Sequence, residues 1–240
     1  PLSKRVYMDH SATTPVRPEV VEAMRPHFID TFGNASSVHA FGREARRVLE
    51  EARETIARHI GAAPEEILIT SGGTESDNLA VKGAAGALEK KGRHLITSTV
   101  EHQAVLNTCA HLEKHGFEVT RLPVDGGGLV SPDDLREAMR PDTAVVSVML
   151  ANNEVGVIEP VAELAGIAHE GGALFHTDAV QAVGKIPVDV EDLGVDLLSI
   201  SAHKFYGPKG VGVLYRRSGT RLQAIQHGGH HEKNLRAGTE

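Results

Sequence analysis

Between residues 43 and 60, Ala45, Val48, Leu49, Ala52, Ile56 and Ile60 recur at helical spacing with arginines and glutamates between them. That pattern predicts an amphipathic helix, and Gly61 predicts its end. Beyond it, short apolar runs alternate with helical patterns. Strands are predicted over 67–70, 94–98, 117–122, 144–150, 173–177, 197–201 and 211–215, and helices over 74–90, 103–115, 132–140 and 161–170. The helix at 132–140 has a readable start: Ser131 as N-cap, Pro132 in the first turn and Asp134 three residues after the cap. Strands separated by helices imply crossover connections, hence an α/β fold with a mostly parallel sheet flanked by helices. No internal repeat, low-complexity tract or linker interrupts the series.

Composition narrows the class. A chain of 240 residues is long enough for one large α/β domain with a substantial core. The net charge of -7, with no run of five like charges, argues against nucleic acid as a partner and against a polybasic membrane anchor. The longest apolar runs, such as 144–151 with Ser147 inside it, are far too short to span a bilayer, so no membrane partner is expected. No basic-then-apolar leader precedes Tyr7, and the single cysteine, Cys109, excludes an internal disulfide framework, which fits a reducing cytoplasm. With 14 His, 25 Gly and 4% aromatic residues, the balance favours close backbone approaches and polar pockets.

Ligands of open α/β sheets sit at the carboxyl ends of strands, and five predicted strand ends carry chemistry. Ser71-Gly72-Gly73-Thr74-Glu75 opens a helix with two glycines and a hydroxyl, aiming backbone N–H groups where an anion would sit. Glu101-His102, Asn152-Asn153-Glu154, and Asp178 with Gln181 one turn on, follow three other strands. Singly each has a plain structural explanation: His102 as a half-exposed histidine at a helix start, Asp178 as a cap of the next turn. The fifth is Ser201-Ala202-His203-Lys204-Phe205-Tyr206, a strand running into a turn where a lysine has apolar and aromatic neighbours. Partial desolvation there lowers a lysine's pKa and frees its amine for carbonyl chemistry, although a snorkelling lysine would show the same neighbours. Lys209, among glycines, has no such shelter. Together the five supply an amine, an acid, an anion cradle and a flat ring, the set required by pyridoxal 5'-phosphate (PLP).

These residues also carry a family resemblance. Asp9-His10-Ser11-Ala12-Thr13-Thr14-Pro15, Gly33-Asn34-Ala35-Ser36-Ser37-Val38-His39, Thr70 to Asn78, Ala151 to Gly156, His176 to Gln181, Ser201-Ala202-His203-Lys204 and Arg236-Ala237-Gly238-Thr239 occur in the order found in cysteine desulfurases of the class V aminotransferase group, and the chain resembles them over essentially its whole length. The resemblance implies the large domain of a fold type I PLP-dependent transferase. It implies that Lys204 forms the Schiff base and moves protons, that Asp178 pairs with the pyridinium nitrogen, that His102 stacks on the ring and that Gln181 bonds the phenolic oxygen. Gly73, Thr74, Ser201 and His203 would hold the phosphate, Thr239 would reach the phosphate of a neighbouring subunit in a homodimer, and Asn153 would touch the ring region and the substrate carboxylate. The implied reaction converts L-cysteine to L-alanine, with sulfur passed to a protein persulfide and then to a sulfur-acceptor or scaffold protein for iron–sulfur cluster assembly or another sulfur-transfer pathway.

Two departures qualify that picture. Cys109 falls inside a predicted helix among apolar neighbours and reads as a buried structural thiol, so the nucleophilic cysteine and the substrate-gripping arginine are expected beyond Glu240. Gly73 stands where many relatives have alanine. The expected organisation is an N-terminal segment at 1–14 and a PLP-binding large domain at 15–240, with the C-terminal small domain absent and the chain cut short. Other class V chemistry, such as a selenocysteine lyase or a transaminase, remains open, as does a catalytically silent PLP-fold scaffold. His227, His230 and His231 crowd a glycine-rich stretch, but no Cys or Asp joins them and no metal is expected.

Overall fold

The computed structural model describes residues 5–240; the first four residues of the expected 1–14 segment lie outside the described residues. Helix α1 (Pro18–Ile29) and helix α2 (Ala40–His59) precede the sheet. There follow β1 (Ile67–Thr70), α3 (Gly73–Leu88), β2 (His94–Ser98), α4 (Gln103–Glu113), β3 (Glu118–Leu122), α5 (Pro132–Ala138), β4 (Thr143–Ser147), α6 (Val161–Glu170), β5 (Leu174–Asp178), α7 (Val190–Leu193), β6 (Leu197–Ser201) and β7 (Gly212–Arg216).

The seven strands form one sheet in the order β1-β7-β6-β5-β4-β2-β3. Strands β2 to β6 pair in parallel, while β7 runs antiparallel between β6 and β1. Six strands therefore deliver their carboxyl ends to one edge. Only ten residues, 202–211, join β6 to β7, too few for a helical crossover, so this neighbour is antiparallel. Strand β4 ends at Ser147 and not at Leu150, yet Val148 and Leu150 still donate N–H bonds to the His176 and Asp178 carbonyls, which keeps the segment against β5.

Both faces are covered, as a parallel sheet requires. On one face α3 and α4 pack Leu79, Ala80, Ala84, Val105, Cys109 and Leu112 against Leu95, Val145, Leu197 and Leu214. On the other, α2, α5, α6 and α7 contribute Ala57, Leu135, Leu164 and Val190 against Ile96, Val146, Phe175, Leu198 and Tyr215. Adjacent strand residues alternate between the two clusters, following the two-residue period of a strand. In β5 this places His176 and Asp178 on the side of α3 and α4. The expected caps are present: Ser131 Oγ accepts from the Asp134 N–H at 3.3 Å, and Gly61 takes φ +71 just past α2.

Helix α1 was not expected from the hydrophobic pattern. It starts on Pro18, contains Pro26 and buries none of its residues. No helix among the described residues is long and apolar enough to cross a membrane.

Candidate active site

A cavity of roughly 590 Å³ opens at the carboxyl edge of the sheet. Its walls include Gly73, Thr74, His102, Asn153, Asp178, Gln181, Ser201, His203 and Lys204, which is every site residue predicted from the sequence except Thr239. Thr239 is exposed near the end of the chain and lines no part of this cavity. The structure adds Asp9, Ser11, Ala12, Asp77, Met149, Glu154 and Val180 to the lining.

The anion cradle comes from the entry to α3. Gly72 caps this sixteen-residue helix without a side-chain acceptor, leaving its first N–H groups and positive dipole end directed at the cavity. Close packing requires glycine here. A Cβ on Gly212, where β7 starts, would lie 2.5 Å from Gly72 backbone atoms, and one on Gly73 would meet Val180 Cγ2 at 2.8 Å and Ser201 Cβ at 3.4 Å. The glycine at position 73 is thus matched to Val180 across the turn. Glu75 stabilises the turn by accepting from the Ser71 N–H at 2.7 Å, and Arg236 pairs with Glu75 at 2.8 Å.

Lys204 leaves β6 through a short 3-10 turn, partly buried. Burial pulls its amine below the ordinary lysine range, with Lys185 acting in the same direction and Asp178 and Asp9 opposing it. Its Nζ donates to the carbonyls of Ser11 at 2.5 Å and Ala12 at 2.8 Å. Asp178 closes β5, is 4% exposed and accepts from the Val180 N–H at 2.9 Å. Burial pushes its carboxyl up, while the Val180 bond, His102 and Lys204 pull it down. His102 stands at a helix start, as the sequence suggests, and also lines the cavity. It is the N-cap of α4, its Nδ1 accepting from the Ala104 N–H at 3.1 Å, and its ring borders the cavity.

Asn152 and Asn153 divide the labour of their loop. Buried Asn152 builds it, accepting from the Glu154 and Val155 N–H groups and donating to the Val100 carbonyl, which leaves Asn153 on the cavity wall. Gln181 gives one amide N–H to the Ser11 carbonyl at 2.8 Å and accepts from Lys185 Nζ, keeping its second N–H. His203 meets Thr13 Oγ1 at 3.0 Å through Nδ1, and burial lowers its pKa, with Lys204 and Lys209 adding to the effect. Asp9, Ser11 and Ala12 escaped the sequence reading of the site because they reach it only through the fold. Thr14 fixes that segment by donating N–H and hydroxyl to the His203 carbonyl at 2.9 and 3.0 Å and accepting from the Tyr206 N–H at 2.7 Å.

Cys109 lies in α4, 1% exposed, where burial pushes its thiol up to about 12. It belongs to the core cluster and not to the cavity. His230 pairs with Asn234 Oδ1 at 2.6 Å, and among the described residues no three His, Cys, Asp or Glu side chains gather as a metal site would need.

The chain that gathers an amine, a buried acid, a histidine ring and a helix N-terminus around this one cavity belongs to the class V aminotransferase family, whose sequence profile it matches over residues 6–239. Within the family it is 62% identical to the cysteine desulfurase IscS of Dictyoglomus turgidum over 239 residues, covering 100% of this chain and 61% of the relative. Among solved structures, a NifS-like protein superposes with a TM-score of 0.96 at 45% identity, covering 99% of this chain and 66% of the other. A structure described as SspA in complex with cysteine superposes with a TM-score of 0.95 at 44% identity, covering 98% and 69%. The chain thus spans about three fifths of the curated relative's length.

Proposed function

We propose that this chain is the cofactor-bearing part of a PLP-dependent cysteine desulfurase acting on L-cysteine as a homodimer. The observation that carries the reading is the convergence of Lys204, Asp178, His102 and the α3 N-terminus on one cavity. The residues fit the group: the uncapped helix end and Ser201 suit a phosphate, and a buried carboxyl suits a pyridinium nitrogen. When bound, PLP withdraws electrons from the substrate's Cα.

In this reading Lys204 holds the cofactor through its amine and moves the proton at the substrate Cα, a role that its lowered pKa favours. Asp178 keeps a proton on the ring nitrogen. His102, its Nδ1 tied to Ala104, offers a fixed flat face. Gly73, Thr74, Ser201 and His203 hold the phosphate, Gln181 turns its remaining N–H to the phenolic oxygen, and Asn153 meets the ring region and the substrate carboxylate. Thr239, exposed and outside its own cavity, serves the phosphate of a second copy. Residues 15–240 act as the PLP-binding large domain, and a small domain completes the enzyme.

The net reaction breaks the cysteine C–S bond. A thiolate takes the sulfur as a persulfide, Cβ gains a proton, and alanine is released. Cys109, buried with its thiol proton tightly held, does not supply that thiolate, so the nucleophile comes from outside residues 1–240. A sulfur-acceptor or scaffold protein in the cytoplasm then receives the sulfur. The test is product analysis on the chain extended by the segment its relatives possess, with cysteine, selenocysteine and amino-acid/keto-acid pairs. Equimolar alanine and persulfide sulfur from cysteine is expected; keto-acid turnover without sulfur release would overturn the reading in favour of a transaminase.

A further inference from the structure

Beneath the cavity lies a group that the reading above does not use. Asp77 sits on α3 one turn after Gly73, is 1% exposed and reaches the cavity wall. Its Oδ1 is buried without any hydrogen-bond partner. The nearest basic atom is His176 Nε2 at 3.7 Å, but that ring is engaged by Ser147 Oγ at 2.8 Å and Ser199 Oγ at 3.0 Å. Burial lowers the His176 pKa to about 3, so the ring is neutral and offers no counter-charge.

The groups facing Asp77 come from every element packed on it. Strand β5 presents His176 and Asp178 on the α3 side. The turn after β2 adds Glu101, itself 5% exposed with Oε2 unpartnered. Strand β6 adds the Ser199 hydroxyl, while Lys204 and His102 line the same cavity. Three carboxyls thus share a buried region, and both His102 and Lys204 act on Asp178, whereas neither is among the main influences on Asp77. Adjacent buried carboxyls do not all ionise.

From this arrangement we infer that Asp77 is a positioning residue for the ring-facing acid: it holds a proton at its own carboxyl, and by staying neutral it leaves Asp178 as the anion that meets the cofactor nitrogen. Burial pushes the Asp77 carboxyl well up and the Asp178 charge pushes it further, against the opposing pull of the Ser199 hydroxyl. An ionised Asp77 would compete with Asp178 for the same proton and leave an uncompensated charge with an orphaned oxygen.

Only the cofactor arm of the test rests on the PLP reading. In the cofactor-free chain carrying carboxyl-labelled aspartate, infrared difference spectra should show one aspartate that stays protonated well above the ordinary aspartate range. This signal should vanish in Asp77→Asn and persist in Asp178→Asn. Its absence from the wild type, or its loss in Asp178→Asn, would overturn the inference, and the latter arm decides even where Asp77→Asn fails to fold. In the PLP-loaded chain, Asp77→Asn should move the pH titration of the visible cofactor band by less than about half a unit. A larger shift, up to the unit or more that removing a neighbouring anion produces, would show that Asp77 is charged. Absence of any visible band in the wild type would refute the PLP reading alone, and the cofactor-free arm would still stand.

Discussion

Lys204 Nζ donates to the Ser11 carbonyl at 2.5 Å across 193 residues of chain, and Gln181 donates to the same oxygen at 2.8 Å. Two side chains of the cavity wall are thus held on one backbone atom of the N-terminal segment. The acceptor is a carbonyl, so the side chain of Ser11 is dispensable and the path of the backbone is not. That path depends on Thr14, which is 5% exposed and bridges the His203 carbonyl and the Tyr206 N–H. Thr14→Val leaves both without a side-chain partner and should cost about 1–3 kcal/mol of stability and weaken PLP binding. Ser11→Ala should be near neutral. Denaturant unfolding with PLP titration separates the two.

A second prediction concerns the loop that carries Arg236. Glu232, Lys233 and Asn234 take φ of 41, 57 and 65, a left-handed run that non-glycine residues avoid. The buried pair of Arg53 with Glu232 at 2.8 Å holds it, and Arg53 also donates to the Ile67 carbonyl at 2.6 Å. Removing Arg53 alone strands a buried carboxylate, so Arg53→Ala should destabilise by about 3–5 kcal/mol. The double variant Arg53→Met with Glu232→Gln should lose less than the sum of the single changes, measured as a double-mutant cycle.

Glu101 gives a pH prediction. It accepts from Ser98 Oγ at 2.7 Å and the Met149 N–H at 2.9 Å, yet burial pushes its carboxyl up to about 8. Above the ordinary value of 4.5 the unfolded chain releases this proton while the folded chain keeps it. Stability is therefore full below that value and falls as pH rises towards about 8, by at most about 1.4 kcal/mol per pH unit from this group. Glu101→Gln, which mimics the protonated acid, should flatten that part of the decline. An unchanged slope in urea midpoints across this range would count against a protonated Glu101.

Cys109 should be inert. A thiol held at about 12 and 1% exposed in α4 presents almost no thiolate. Alkylation of the native chain should be slow and should track global unfolding as denaturant is added. Rapid labelling without unfolding would reopen Cys109 as a reactive group.

How much of this was legible in the sequence varies with the kind of contact. The βα alternation and the loaded strand ends were legible because two-residue and helical periods, glycine turns and cap residues are local signals. Asp178 is the last residue of its strand, and Gly73, Lys204 and His102 lie three, three and four residues beyond theirs, so a parallel sheet gathers them without further information. The direction of β7 could have been inferred from the ten-residue connection that precedes it. Helix α1 gave no such signal: its apolar side chains face no core and prolines sit at its first position and inside it. Asp77 looked like one polar residue of a helix, although the apolar Leu79, Ala80 and Val81 beside it hint that this stretch is buried. Ser11 and Ala12 were beyond reach because they act through backbone carbonyls, which side-chain identity does not reveal.

The central claim is that Lys204 is the amine that binds the cofactor aldehyde. Titrating the chain with PLP, reducing with borohydride and mapping the adduct by peptide mass spectrometry tests it directly. A visible band that is lost in Lys204→Ala, with the pyridoxyl mass on the peptide containing Lys204, is the predicted result. A band that survives in Lys204→Ala, or an adduct on Lys185 or Lys209 in the wild type, would contradict it.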